Sequence, residues 1–432
     1  EMIIVRRVGV AGIPWDEPTH RIIAGVSVKY LTSIFHPGLK YQEFTGFPTL
    51  AEYPSRHYGV IFDLPMYVAD MLFGFDSRTP DAYYMRHLCT FLLFYLSVFF
   101  FYLIVRNRFE SRLIGLTACL FLILSPRIFA QSFYGKDVVF LSLFIISIYF
   151  FVRYLNRKTI ANALWFALAT ALVVAQRITG MFIPFLVLFM MGVDLMKEER
   201  KYIDFRRILA TLCIYLVSFS LFLVILWPYL WEDPLRNFID AFGVMNRFPI
   251  SYYNLYWGTF IKSTEIPWHY IPVWILITTP IIYTFFFTLG TFWTIKGIFG
   301  NGINLYMDSK ERQDFLFLLL FSVPLAAVIY LDSALYDGWR HMYFIYAPFL
   351  LIAMKGFDQI LSNMRKIQTG REMLSVFFII CIIAAGLIST AYKMIRYHPY
   401  QNVYFNCLAG NDINQKFDLD YWGLSFRKGL EY

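Results

Sequence analysis

The chain has 432 residues, of which 58% are hydrophobic, 20% aromatic and only 16% charged, with a mean hydropathy of +0.54 and a net charge of +8. Soluble domains carry about 25% charged residues and disordered chains need low hydrophobicity, so both classes are excluded. The apolar runs are continuous rather than alternating, which sets aside a β-barrel and leaves an all-α polytopic membrane protein.

In chain order, residues 1–83 read as an external segment rich in Pro, Gly, His and Tyr. Its opening, Glu1-Met2-Ile3-Ile4-Val5-Arg6-Arg7, is not a signal peptide, and an anchoring span is expected upstream. After Ile13-Pro14-Trp15-Asp16-Glu17-Pro18-Thr19-His20, the residues Ile22, Ile23, Val26, Tyr30 and Ile34 fall at helical spacing. That stripe predicts an amphipathic helix lying in the membrane interface and starting near Pro18. Asp16 suits its N-cap and Glu17 its first turn. The same acids suit a second role, a carboxylate that takes a proton from a hydroxyl nucleophile at the membrane surface. His20 reads as a packing histidine or, with Asp16, as a metal ligand. His57, Arg86 and His87 stand near a membrane boundary, either as an anion pocket or as snorkelling interfacial anchors.

Ten spans are expected, at about 84–105, 113–126, 138–155, 163–176, 180–196, 208–228, 271–295, 314–331, 342–355 and 373–392. Residues 84–392 thus form a transmembrane bundle and 393–432 a polar, aromatic tail. Alternate short loops hold 18 Lys and Arg on one side and 7 on the other. The richer side is expected to be cytoplasmic, which leaves both the first segment and the tail outside. An upstream anchor would bring the total to about eleven. The five cysteines show no CxxC pair, so no disulfide framework or structural zinc follows. With its basic residues distributed by membrane side, the positive charge does not read as a nucleic-acid surface. No fixed-period repeat or inverted half-chain symmetry is visible, which disfavours the common transporter folds.

Charges cluster where spans end on the outer side. Arg127, Lys136 and Asp137 lie in Ser125–Asp137, Arg177 in a short turn, and Asp332, Asp337, Arg340 and His341 in another. Charge at membrane depth is costly and marks function or a partner. Internal ion pairs, such as Lys136–Asp137 or Asp337–Arg340, would explain each residue singly. A polyanionic lipid head group would explain the set, since Arg grips phosphate bidentately and Lys adds a compact charge. The tyrosines and tryptophans at Tyr252, Tyr253, Tyr256, Trp257 and Trp268 fit an interfacial belt or sugar stacking.

Four segments in order carry a resemblance: the Asp16-Glu17 pair, Ser125-Pro126-Arg127 through Lys136-Asp137, Tyr336-Asp337-Gly338-Trp339-Arg340-His341, and the tail with His398–Asn406 and Asp418–Gly423. Together they resemble bacterial family-39-like GT-C glycosyltransferases, a superfamily that includes dolichyl-phosphate-mannose protein mannosyltransferases and lipid A aminoarabinose transferases. Trp15, and Tyr134-Gly135 in place of Asn-Pro, depart from that pattern. The resemblance implies transfer of a sugar from a polyprenyl-phosphate donor to a protein, lipid or glycan acceptor, on the outer face of a bacterial inner membrane. It implies the Asp16-Glu17 pair as the family's acidic pair, with Asp16 as base; the charge clustering itself makes Glu17 the expected orienting neighbour and Arg127, Lys136, Arg177, Arg340 and His341 the expected donor-phosphate cations. His20, His57, Tyr58, Arg86, Asp137 and Asp337 are further pocket candidates. No fixed cofactor is implied, and relatives divide on whether a divalent metal helps. A lipid-linked-sugar flippase and a non-catalytic assembly subunit are the alternatives.

Overall fold

The computed structural model describes residues 13, 14, 16–38, 44, 46–75, 79–196, 205–246, 252–365 and 370–424. Trp15 and the first twelve residues lie outside that set, as does most of the 197–207 loop. An outer helix pair comes first, α1 (Glu17–Phe35) packed on α2 (Asp63–Phe73). The bundle follows as α3 (Pro80–Phe109), α4 (Arg112–Ile123), a short α5 (Pro126–Gln131), α6 (Asp137–Asn156), α7 (Ile160–Gln176), α8 (Phe182–Met196) and α9 (Phe205–Leu226). After an outer excursion containing α10 (Pro234–Asn246) and a hairpin of β1 (Tyr253–Tyr256) and β2 (Thr259–Lys262), it resumes. The remaining bundle helices are α11 (Tyr270–Thr278), α12 (Ile281–Gly300), α13 (Ser309–Tyr330), α14 (Tyr346–Arg365) and α15 (Gly370–Arg396), before a single turn, α16 (Ile413–Lys416).

Among the described residues, eight helical segments are long and apolar enough to cross a membrane, while α4 and α7 are shorter. Each expected span has its helix, with one correction: the run at 271–295 breaks between α11 and α12. Pro280 ends it there, because proline disfavours a helical residue before it and donates no N–H. Local chemistry sets several starts. Ser111 and Thr159 accept the N–H groups of Ile114 and Asn162, and Asp308 accepts those of Lys310 and Glu311. Proline opens α3 and α5 in the first turn, where its missing N–H is not needed.

Packing relies on side-chain size. Gly290 of α12 and Gly356 of α14 let the two backbones meet, since a Cβ on Gly290 would lie 1.9 Å from the carbonyl oxygen of Ile352. Behind that contact, Phe121 stacks on Tyr283 and Phe287 on Phe349 at 4.2 and 4.4 Å between ring centroids. At the basic-loop end, buried charges neutralise one another. Asp314 takes Arg108 at 2.7 Å, and Asp194 takes Lys158 at 3.2 Å and the Tyr306 hydroxyl at 2.6 Å.

The expected interfacial stripe on α1 needs a second correction. Ile23, Ala24, Val26 and Val28 are buried against α2 and its surroundings, whereas Ile22 and Ile34 are exposed. Arg21, a charged residue next to that stripe, is buried and paired with Asp70 at 3.0 Å. The first half of α1 is therefore part of the protein interior, where Glu17, His20 and Arg21 face His87, Asp63 and Asp70.

Candidate active site

Remote segments converge at the end of the bundle opposite those basic loops. Asp16 stands at the N-cap of α1, yet its side chain makes no capping hydrogen bond (φ −82°, ψ −15°). That carboxylate is 25% exposed and lies 3.8 Å from the Arg340 Nη1. The capping role open in the sequence is thus not taken up by the side chain, which faces a cleft instead.

Arg340 is the hub. It is 3% exposed, and its Nη1 lies 3.3 Å from Asp137 Oδ2 and its Nε 3.2 Å from Asp337 Oδ2. The guanidinium lies over Tyr421, Trp422 and Tyr336 at 4.6, 4.8 and 5.0 Å from the ring centroids. Asp337 reaches it from a left-handed turn (φ 60°) whose N–H donates to Asn254 Oδ1. Burial pushes the Asp337 carboxyl up to about 7, against the opposing pull of Arg340. Asp137 also pairs with Arg177 at 2.7 Å. The internal pair Asp337–Arg340 considered from the sequence therefore forms. Removing one partner of such a buried network leaves the others uncompensated, typically at about 3–5 kcal/mol. Arg340→Ala should accordingly lower the thermal unfolding midpoint of the detergent-solubilised protein; an unchanged midpoint would show that Asp137 and Asp337 do not depend on it.

Lys136 behaves differently. It precedes α6 and meets no carboxylate within 4 Å among the described residues; its ammonium lies 4.6 Å from the Tyr58 ring centroid. Burial first, and then the Arg177 and Arg340 charges, lower its pKa to about 8. Tyr58 is brought up by a close backbone approach: a Cβ on the adjacent Gly59 would lie 1.7 Å from the Ala175 carbonyl oxygen, so only glycine fits.

Asp16, Lys136 and Asp137 line one cleft of about 340 Å³, together with Glu17, Tyr134 and Trp422. The wall behind it is ionic. Glu17 bonds His87 Nε2 at 2.9 Å and lies 3.6 Å from Arg86 Nε. Asp63 bonds Arg86 and lies 3.5 Å from His20 Nδ1. Burial alone would raise the Asp63 carboxyl, but Arg86 and His20 hold it below its ordinary value. Arg86 and His87 are therefore occupied by protein carboxylates rather than free for an outside anion, and Glu17 faces them instead of Asp16. His57 is elsewhere, bonded to Asp240 of α10 at 2.9 Å with its ring against Tyr229. Arg177 and His341 line neither large cleft; the His341 carbonyl accepts from Arg177, and its ring packs on Tyr336. Arg127 lines a neighbouring cleft, donating to the Tyr404 carbonyl at 3.0 Å.

Among the described residues, no group of three or more His, Cys, Asp or Glu side chains is placed to hold a metal ion. The acids around the cleft already have cationic partners, Glu17 and Asp63 on Arg86 and Asp137 on Arg177 and Arg340.

Tyr421 and Trp422 complete the walls, although the sequence marked their segment only through the tail resemblance. Tyr336 and Asp418 belong to the Tyr336–His341 and Asp418–Gly423 segments that carry the resemblance. The His57 partner of Asp240 and the Arg21 partner of Asp70 are 183 and 49 residues away, so no local spacing marks those pairs.

Neither a protein-family model nor a curated protein sequence matches the chain. Solved structures do. ArnT from Cupriavidus metallidurans, in the apo state and bound to undecaprenyl phosphate, superposes with a TM-score of 0.53 over 89% of this chain at 13% identity. The oligosaccharyltransferase AglB from Archaeoglobus fulgidus, in complex with an inhibitory peptide and a dolichol-phosphate, gives 0.52 over 89% at 12% identity. The chain has a GT-C fold. An apo oligosaccharyltransferase from Archaeoglobus fulgidus shares this GT-C fold over 98% of the chain, at a TM-score of 0.52 and 12% identity. The match covers 62% of ArnT and 51% of AglB, so the chain spans less than two thirds of these GT-C proteins.

Proposed function

We propose that this chain is a glycosyltransferase that moves a sugar from a polyprenyl-phosphate donor to an acceptor hydroxyl at the outer face of the membrane. One observation carries the reading: a carboxylate without a capping bond, Asp16, and an ammonium without a carboxylate partner, Lys136, line the same cleft. In the proposed reaction the acceptor oxygen attacks C1 of the sugar as the C1–O bond to the carrier phosphate breaks. The acceptor proton passes to Asp16, and the bonding electrons leave with the carrier phosphate. No strong acid is needed, because the leaving group is already a phosphate. Lys136 receives the growing negative charge at the leaving oxygen, and Arg340 adds a fixed positive field held by its three carboxylates and its ring cage. Arg177 acts through Asp137, which it shares with Arg340. The undecaprenyl phosphate bound to ArnT and the dolichol-phosphate bound to AglB support a lipid-phosphate donor. The imbalance of Lys and Arg between loops supports the outward orientation, and a bacterial inner membrane is the setting we propose.

The test is incubation of the purified protein with polyprenyl-phosphate sugars while carrier-phosphate release is followed. Acceptor-dependent release supports the transferase. Release-free movement of the lipid between leaflets would assign a flippase, and binding without either outcome a non-catalytic subunit. Because the acids around the cleft are engaged by Arg and His, chelation with EDTA should leave the release rate unchanged; a rate restored only by added Mg²⁺ or Mn²⁺ would contradict the metal-independent route.

A further inference from the structure

Beside the first cleft lies a second, of about 360 Å³, and the two share Gln131 and Trp422 as walls. The proposed reaction uses neither Arg127, Asn402 nor Asp418, all of which line the second cleft. Arg127 and Asn402 are 7% and 6% exposed, and among the described residues the Nη2 of Arg127 and the Oδ1 of Asn402 are buried without a hydrogen-bond partner. The Nη2 of Arg340, on the same cleft, is likewise unpartnered. Such groups are normally satisfied, and leaving one buried and unmade is unfavourable.

The charges add a second observation. Among the described residues, Arg127 has no carboxylate within 4 Å; it donates Nε to the Tyr404 carbonyl and lies over the Phe405 ring. Asp418 has no cation within 4 Å among the described residues, and its Oδ2 accepts the Leu255 N–H at 2.9 Å. A cleft with an unpaired cation and an unpaired carboxylate on its walls suits a ligand that carries no charge yet both gives and takes hydrogen bonds. Hydroxyl groups do both, and a run of them on one ring can satisfy several wall atoms at once. Tyr421 and Trp422 supply aromatic surface for the apolar face of such a ring. A phosphate would face the Asp337 and Asp418 carboxylates and is better accommodated by Lys136 next door.

We propose that the second cleft is a saccharide subsite that takes an uncharged pyranose ring, its hydroxyls bridging Arg127 and Asn402 to Asp418. This deepens the transferase reading and rests on it. The ring can come from the donor or from a glycan acceptor, and the experiment separates the two sources.

The test uses the full chain in detergent with Asn402→Ala and Asp418→Asn variants. Binding is measured for bare undecaprenyl phosphate and for the same carrier bearing a neutral hexose, and the KM for acceptor is measured alongside. A donor ring in the cleft gives variants that bind the glycosylated carrier about tenfold more weakly, as expected for losing one hydrogen bond in a desolvated site, while bare carrier binds as in wild type. A glycan acceptor in the cleft instead raises the KM for acceptor about tenfold with both carriers unaffected. Equal weakening of bare and glycosylated carrier, or no change in any of the three, overturns the subsite. A wild-type protein that binds no carrier and releases no phosphate overturns the transferase reading itself, so the two failures are distinguishable.

Discussion

Asp16→Asn is expected to reduce carrier-phosphate release by about 10²–10⁴-fold, the usual contribution of a positioned general base, while binding of bare undecaprenyl phosphate stays near the wild-type value. The substitution conserves shape and removes only basicity. Stability should change little, because the Asp16 side chain makes no capping bond, is a quarter exposed and meets Arg340 only at 3.8 Å. Single-turnover rates with a saturating donor separate this from a binding defect. Wild-type-like turnover would remove Asp16 from the chemistry, and a lost melting transition would make it a structural residue instead.

Lys136→Gln should weaken donor binding by about ten- to a hundredfold, the range for hydrogen bonds to charged groups. The wild-type protein should also show a pH dependence that the variant lacks. The Lys136 pKa lies at about 8 in the absence of ligand, so the amine holds its proton at pH 7 and loses it as the pH rises through 8. The donor phosphodiester keeps one negative charge over that range. Donor affinity should therefore fall between pH 7 and 9 in the wild type, remain low and flat in Lys136→Gln, and stay higher at pH 9 in Lys136→Arg, whose guanidinium does not titrate there. Donor dissociation constants measured across that range decide it. A flat wild-type profile would place the phosphate away from Lys136.

Much of this architecture was legible because the membrane imposes a strong rule. Long apolar runs must become helices, and every expected span has one. The break at Pro280 was legible in principle, but continuous hydrophobicity on both sides masked it. The β1–β2 hairpin was missed because its alternation spans only Tyr253–Lys262 around a Trp257-Gly258 turn at positive φ, amid aromatic residues that read equally well as an interfacial belt. At the site, the candidate charges stood out because charge is expensive near lipid. Their division of labour did not. Arg86 lies 69 residues from Glu17 and 23 from Asp63 in sequence, and Arg340 lies 203 from Asp137, so which cations were already spoken for depended on tertiary pairing. Lys136 differs from Arg86 only in lacking such a partner, and no spacing in the chain announces that difference. The Tyr421–Trp422 wall was equally hidden, since a tail beyond the last span gives no periodic signal of folding back over the bundle.

The most direct measurement is a structure of this protein with undecaprenyl phosphate bound. The expected density places the phosphate in the cleft shared by Asp16 and Lys136, within hydrogen-bond reach of the Lys136 ammonium and on the Arg340 side. A phosphate held at the opposite end of the bundle, near the Asp194 or Asp314 clusters, or a cleft that stays empty at saturating lipid, would contradict it.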